Sequence, residues 1–261
     1  FFNLDKFEES TEVIIIENSN DYILKEKIEK KYKNVKIILN ENKGYAQAAN
    51  LGAKIAKNKY IFFCSPDNFI EENIVKKLED FAKEMDDNFG VLVVNEQDRA
   101  VSKLTSVKKP WSKKENGISC FLIKKETFLE ISGYDENFFL YCEDRDFVER
   151  LIKAKFSFYK VPLTFKNGRG SHNTKYNYQI LVNNNWHFMW SKFYYKKKQY
   201  GYLIALIITL PYLFYAIIKM IQNINNLENL RIYHARISGL INGYFFRKAW
   251  YRPDLVKNEK N

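Results

Sequence analysis

The densest grouping of chemically capable side chains lies in Gly133-Tyr134-Asp135-Glu136-Asn137-Phe138-Phe139-Leu140-Tyr141-Cys142-Glu143-Asp144-Arg145-Asp146, where five carboxylates fall within twelve residues beside four aromatics. A helix is expected to open around Glu143. On it Asp144 shares a side with Phe147, Val148 and Leu151, whereas Asp146 stands four residues before Arg150. That spacing predicts Asp144 facing inward and Asp146 facing outward in a helix-surface ion pair. A carboxylate kept dry at the apolar side of a helix start has its pKa raised toward the value a general base needs. The same position also suits a plain helix-terminus charge favoured by the dipole, so both readings of Asp144 stand.

A second candidate is Asp67, in Ser65-Pro66-Asp67-Asn68 directly after an apolar run at residues 60–64. Ligands of open α/β sheets bind beyond the carboxyl ends of strands, which is where this carboxylate falls. With a helix expected just after it, an N-cap explains Asp67 equally well.

The elements that must position these groups alternate. Val13 to Ile16 are β-branched and apolar on both faces, the pattern of a strand covered on both sides. A charged helix over 20–33, a strand over 35–39, an Ala-rich helix over 44–57 and a strand over 60–64 follow. Helical spacing then runs from Ile70 to Met85, with a strand at 91–94. Such alternation predicts right-handed crossovers and a mostly parallel sheet. Residues 95–115, crowded with Lys103, Lys108, Lys109, Lys113 and Lys114, read as a loop; a strand at 118–123, a short helix near 126–131 and an extended stretch at 156–165 complete the pattern.

In order and spacing these motifs resemble a bacterial family 2 glycosyltransferase of the rhamnosyltransferase-like type, with a GT-A fold. The pieces that carry the resemblance are Val13-Ile14-Ile15-Ile16-Glu17-Asn18-Ser19-Asn20-Asp21, then Asn42-Lys43-Gly44-Tyr45-Ala46 through Asn50 and Gly52, then Tyr60-Ile61-Phe62-Phe63 leading to Pro66-Asp67, and residues 133–150. The resemblance covers residues 12–172 and implies a catalytic domain over 1–175, followed by a second region over 176–261.

It implies a nucleotide-sugar donor held by Glu17, Asn18, Asp21, Gly44, Asn50 and Asp67, with Glu17 in place of the Asp that contacts the base or ribose. It also implies Asp144 as catalytic base, with Glu143 as its neighbour and substitute. A divalent cation, Mg²⁺ or Mn²⁺, is implied at Asp67, although Ser65 replaces the first acid of the metal motif; a single carboxylate serves when diphosphate oxygens and water complete the octahedron. His172 in Asn167-Gly168-Arg169-Gly170-Ser171-His172 is offered as a further metal or diphosphate ligand, standing after the serine where family members carry a histidine before it. The resemblance further expects a β-α unit of about 30 residues ahead of Val13, where this chain has Phe1 to Glu9.

From Tyr176 the chain turns aromatic and basic, then enters an apolar run at 202–221 broken only by Thr209, Pro211 and Lys219. Its length suffices to cross a bilayer. Basic residues on both flanks fit a single crossing poorly, which favours a helix lying in or re-entering an anionic interface on the cytoplasmic face of the membrane. A buried helix of a soluble protein is the alternative. The chain carries 42 Lys+Arg against 31 Asp+Glu in 261 residues, a net charge of +11, but no nucleic-acid motif accompanies it. The three cysteines, Cys64, Cys120 and Cys142, have neither disulfide nor zinc spacing, and no secretory leader is expected from the opening residues, so a reducing compartment is the expectation. Together these readings predict an inverting transfer of sugar from a nucleotide donor to a hydroxyl of a lipid-linked or cell-surface glycan. A non-catalytic nucleotide-sugar or glycan-binding relative is the alternative, and a basic nucleic-acid-binding protein a weaker one.

Overall fold

The structure is a computed structural model that describes residues 4–8, 10–85, 88–108, 118–168 and 178–251. The chain divides into two compact units, residues 1–43, 47–134 and 147–172 in one, and residues 44–46, 135–146 and 173–261 in the other. Two short segments, 44–46 and 135–146, cluster with the C-terminal residues rather than with the chain on either side of them.

In the first unit, β1 (Val13–Glu17) and β2 (Val35–Leu39) pair in parallel as a two-stranded sheet, joined through α1 (Tyr22–Lys31). The β-branched runs form these strands as predicted, but β1 is half-buried along its length rather than covered on both faces. α2 (Tyr45–Ile55) leads to β3 (Tyr60–Cys64), which opens a six-stranded sheet with β4 (Asn68–Ile70), β5 (Phe89–Glu96), β6 (Thr105–Val107), β7 (Cys120–Lys124) and β8 (Ser157–Asn167). The order is β3-β7-β5-β8-β4, with β6 also on β8.

Only β5 and β8 run parallel in this sheet, so it is mixed where alternation predicts a mostly parallel one. The reason is the passage from β5 through β6 to β7, which contains no α-helix among the described residues to carry a parallel crossover. α3 (Ile74–Lys83) buries Ile74, Leu78 and Ala82 against Phe89, Leu92 and Val94. α4 (Lys125–Glu130) adds Phe128 to an aromatic cluster with Phe63, Phe121, Tyr134 and Phe147, in which Tyr134 and Phe147 stack at 4.5 Å.

The second unit is built on α6 (Tyr178–Tyr200), α7 (Tyr202–Gln222) and α8 (Leu227–Tyr244). α6 buries Trp186, Met189, Trp190 and Phe193. α8 packs closely on it because Gly239 has no side chain; a Cβ there would lie 2.3 Å from the Trp186 carbonyl oxygen. The second unit also holds the 135–146 segment, whose Phe138 and Phe139 join the Trp186 and Trp190 cluster.

Within the first unit, Asn50 on α2 holds the backbone of Tyr134. Its amide donates to the Tyr134 carbonyl and accepts from the Tyr134 N–H, both at 2.8 Å. Gly133 sits in the left-handed region at φ 58°, where a Cβ would strike the Asn50 Oδ1 at 2.4 Å. Replacing the amide by an apolar side chain leaves both backbone groups unpaired, each at a cost of about 1–3 kcal/mol. Asn50→Leu is therefore expected to lower the urea midpoint by the equivalent of about 2–6 kcal/mol with an unchanged slope.

Candidate active site

Of the predicted residues in the first unit, Glu17, Asn18 and Asp21 stand at or just after the carboxyl end of β1, Asp67 follows β3, and Asn50 lies on α2. Glu17 closes β1 and turns its carboxylate back on the chain: one oxygen accepts from the Ser19 N–H at 2.8 Å and from the Ser19 hydroxyl, the other from the Asp21 N–H at 2.8 Å. Burial works to raise its pKa, but these bonds together hold it below the ordinary value. Asp21 caps α1, accepting from the Leu24 N–H at 2.9 Å. Asn18 accepts from the Asn40 amide at 2.8 Å, and Asn40 also reaches Gln47 of α2 at 2.8 Å. The order of this loop thus rests on side chains that resemblance assigns to the nucleotide, and Asn50 is likewise a clamp on Tyr134.

Asp67 follows β3 in a turn, and its carbonyl accepts from the Gly168 N–H at 2.9 Å. The N-cap explanation fails. Asn68 to Ile70 form β4, and α3 begins only after Asn73, which occupies its cap position in the left-handed region at φ 56°. Among the described residues no three His, Cys, Asp or Glu side chains converge on a metal site. Asp67 therefore offers a single carboxylate. His172 lies outside the described residues, as do Lys109, Lys113 and Lys114 of the predicted loop.

In the second unit Gly44, at φ 100°, lies against Phe139; a Cβ would meet the Phe139 carbonyl oxygen at 2.4 Å. That close approach lets the Tyr45 N–H donate to the same oxygen at 3.2 Å. Farther along, Tyr141 and Cys142 both adopt left-handed backbone, at φ 71° and 66°. Two consecutive non-glycine residues in that region carry strain that the surroundings must over-determine. They do so from α6: buried Ser191 donates to the Leu140 carbonyl at 2.8 Å, the Phe188 ring meets Tyr141 edge-on at 5.7 Å, and the Phe138 ring meets Tyr194 edge-on at 4.9 Å.

The strained pair delivers Glu143 and Asp144 into the first turn of α5 (Glu143–Lys153). Burial raises the Asp144 carboxyl to about 6, against the opposing hydrogen bond from the Arg145 N–H and the Arg145 charge. Burial also raises Glu143, to about 7, and the Asp144 charge pushes the same way. One Glu143 oxygen is buried with no hydrogen-bond partner among the described residues. Two adjacent carboxyls therefore titrate in the range useful to a base at neutral pH.

Asp146 corrects the helical-wheel prediction. It is fully buried, while Asp144 is the more accessible of the two. Its carboxylate forms an ion pair at 2.7 Å with Lys198 of α6, which also holds Asp135 at 2.6 Å. Tyr194 donates to Asp135 at 3.1 Å. Sequence reasoning missed Lys198 and Ser191 as supports of the acidic segment; the basic, aromatic character of 186–198 marked that helix without indicating its partners.

The sequence model of Glycosyl transferase family 2 matches residues 3–148. No curated protein matches the sequence. Among solved structures, S. aureus TarS 1-349 aligns at 11% identity over 98% of this chain and 89% of that one, with a TM-score of 0.52. The Pyrobaculum calidifontis mannosyltransferase PcManGT, in complex with GDP-Man and Mn²⁺, aligns at 11% identity over 95% and 83%, with a TM-score of 0.55. GalNAc-T7 with UDP, GalNAc and Mn²⁺ aligns at 16% identity over 72% of this chain, which spans 45% of that longer one, with a TM-score of 0.46. With more than half of its length matched by the family model, and a GT-A architecture shared with TarS and the mannosyltransferase, the chain belongs to glycosyltransferase family 2.

Proposed function

We propose that this glycosyltransferase inverts configuration as it moves a sugar from a nucleotide-sugar donor to a hydroxyl of a lipid-linked or cell-surface glycan. The observation that carries the reading is the desolvated Glu143–Asp144 pair, with carboxyls raised to about 7 and about 6. Asp144 takes the proton of the acceptor hydroxyl as its oxygen bonds to the anomeric carbon, while the bond from that carbon to the diphosphate breaks and a nucleoside diphosphate leaves. Glu143, the less acidic of the two, keeps its proton to higher pH than Asp144, so the pair ionises in sequence with Asp144 losing its proton first. Glu17, Asn18 and Asp21 order the loop at the end of β1 for the nucleotide. Asp67 fits a divalent cation only in the mode where substrate phosphates and water supply the other ligands. Such a cation, when bound, neutralises the departing diphosphate.

α7 supports a membrane-attached enzyme at the cytoplasmic face. It is long and apolar enough to span, yet only 17% of its most apolar window is buried, unlike a core helix of a soluble protein. Leu203, Ile207, Phe214, Ile218 and Ile221 are exposed. The chain also returns to where α7 starts: the Tyr202 hydroxyl donates to the Tyr244 carbonyl at 3.3 Å, and Tyr202 stacks on Phe246 at 5.2 Å. The end of α8 thus lies at the level of the start of α7, which favours an interfacial hairpin over one crossing with the tail beyond it.

Three outcomes are expected. Asp144→Asn abolishes transfer while donor affinity stays within a few fold in calorimetry, and retained turnover would move the base to Glu143. In the unsubstituted enzyme kcat rises as pH rises through about 6–7, because the base must be ionised. Stability runs the other way. Both carboxyls bind protons more tightly folded than unfolded, so this contribution is fullest below their ordinary range and is lost as pH rises through about 7. Asp144→Asn is accordingly expected to stabilise the fold at pH 8 but not at pH 4, by on the order of 2–3 kcal/mol, read as a higher Tm at pH 8 only.

Asp67→Ala is expected to weaken donor binding in Mn²⁺ and flatten the metal dependence of turnover; activity indifferent to chelator in the unsubstituted enzyme would remove the metal from the reading. For the membrane, Ile207→Lys and Phe214→Lys leave the core untouched and are each expected to reduce vesicle cosedimentation about tenfold. A reporter fused after Asn261 should signal from the cytoplasm, and a signal from the far side would mean a true span.

A further inference from the structure

We propose that Arg145, Lys192 and Arg236 form a site for the phosphate head of a lipid-linked acceptor. The proposal rests on the glycosyltransferase reading above and names the acceptor chemistry at its second unit. All three residues belong to that unit, Arg145 in the first turn of α5, Lys192 on α6 and Arg236 on α8.

Lys192 is half-buried, its ammonium 3.6 Å from the Tyr212 ring centroid and 4.7 Å from that of Phe188. The Arg236 Nε is buried with no hydrogen-bond partner among the described residues. None of the three cations forms an ion pair with a carboxylate of the described residues. Asp144 is near enough to feel the Arg145 charge, but no carboxylate acts on Lys192. Burial pushes Lys192 down to about 8, and Arg236, Arg145 and Lys196 push the same way, with only the Cys142 thiol opposing them.

Like charges drawn together and partly dehydrated are costly unless an anion completes the set. A phosphate supplies both the charge and several acceptor oxygens, which match the arginine fork. The argument for a lipid carrier is the neighbour of Lys192. Tyr212 belongs to α7, whose Ile207, Phe214 and Ile218 are exposed, so a phosphate on an apolar chain satisfies the cations and the helix together. The argument for the acceptor is the neighbour of Arg145. A head group held there lies beside Asp144, to which the glycan hydroxyl must come.

The test measures binding of farnesyl diphosphate to the full chain by calorimetry, with inorganic pyrophosphate and farnesol as head and tail alone. Farnesyl diphosphate should bind more tightly than either, and Lys192→Gln and Arg236→Gln should each weaken it about tenfold. Unchanged affinity in both variants, or farnesol binding as well as farnesyl diphosphate, overturns the proposal. Should a glutamine variant fail to fold, the unsubstituted chain decides. Facing Lys192 are Arg236 of α8, Arg145 and Cys142 of the acidic segment, Lys196 of its own helix and Tyr212 of α7. Affinity should fall as pH rises through about 8 as Lys192 loses its proton, and a flat profile counts against the site.

Phosphatidylcholine vesicles containing phosphatidylglycerol should not displace farnesyl diphosphate; full displacement would assign the site to bulk lipid heads and overturn the acceptor. Asp144→Asn should retain this binding. A chain that binds farnesyl diphosphate but never transfers sugar would defeat the enzymatic reading alone, and one that transfers sugar with both glutamine variants unaffected would defeat this proposal alone.

Discussion

The second unit depends on one ammonium group shared between two carboxylates. Lys198 neutralises Asp135 and Asp146 at 2.6 and 2.7 Å, near the two ends of the acidic segment. Without it, five carboxylates in twelve residues would repel one another at the start of a helix. The neutralisation is selective. Glu143 and Asp144 receive no such partner among the described residues, remain desolvated, and have raised pKa values, whereas Asp135 is held below its ordinary value, the Lys198 and Asn137 bonds outweighing burial. Similar side chains are thereby divided into carboxylates held by an ion pair and carboxylates left desolvated without one.

Strain is the other half of the arrangement. Tyr141 and Cys142 in left-handed backbone cost on the order of 1 kcal/mol or more each, and nothing local to their sequence compensates. The compensation comes from packing: Phe138 and Phe139 are buried against α6, and Ser191 fixes the Leu140 carbonyl. A segment anchored at both ends by aromatic burial and ion pairing can hold an unfavourable turn between them.

Much of this was legible in the sequence and some was not, for reasons that differ by residue. The strands at 13–17, 35–39 and 60–64 are written in runs of β-branched and aromatic residues, so their limits follow from composition. The three-residue strands β4 and β6 are too short to carry a period, and missing β4 is what made Asp67 look like an N-cap. Asp146 was misplaced because a helical wheel ranks residues by neighbours on their own helix, whereas its burial is decided by a lysine on another helix. Asn50 shows a different limit. Its place in a motif was visible, but not that both faces of its amide are spent on the Tyr134 backbone.

α6 explains why the acidic segment and the apolar helix belong to one unit. Ser191, Tyr194 and Lys198, spaced three and four residues apart, lie along one face and hold Leu140, Asp135 and Asp146. Phe188 and Lys192, four apart, lie along the adjoining face and meet Tyr141 and Tyr212. A rotation of α6 about its axis would disturb both sets of contacts at once. The geometry of Glu143 and Asp144 is therefore tied mechanically to the helix that also meets α7 through Lys192 and Tyr212. On the function proposed above, that coupling would hold the base at a fixed height relative to the surface from which a lipid-linked acceptor projects.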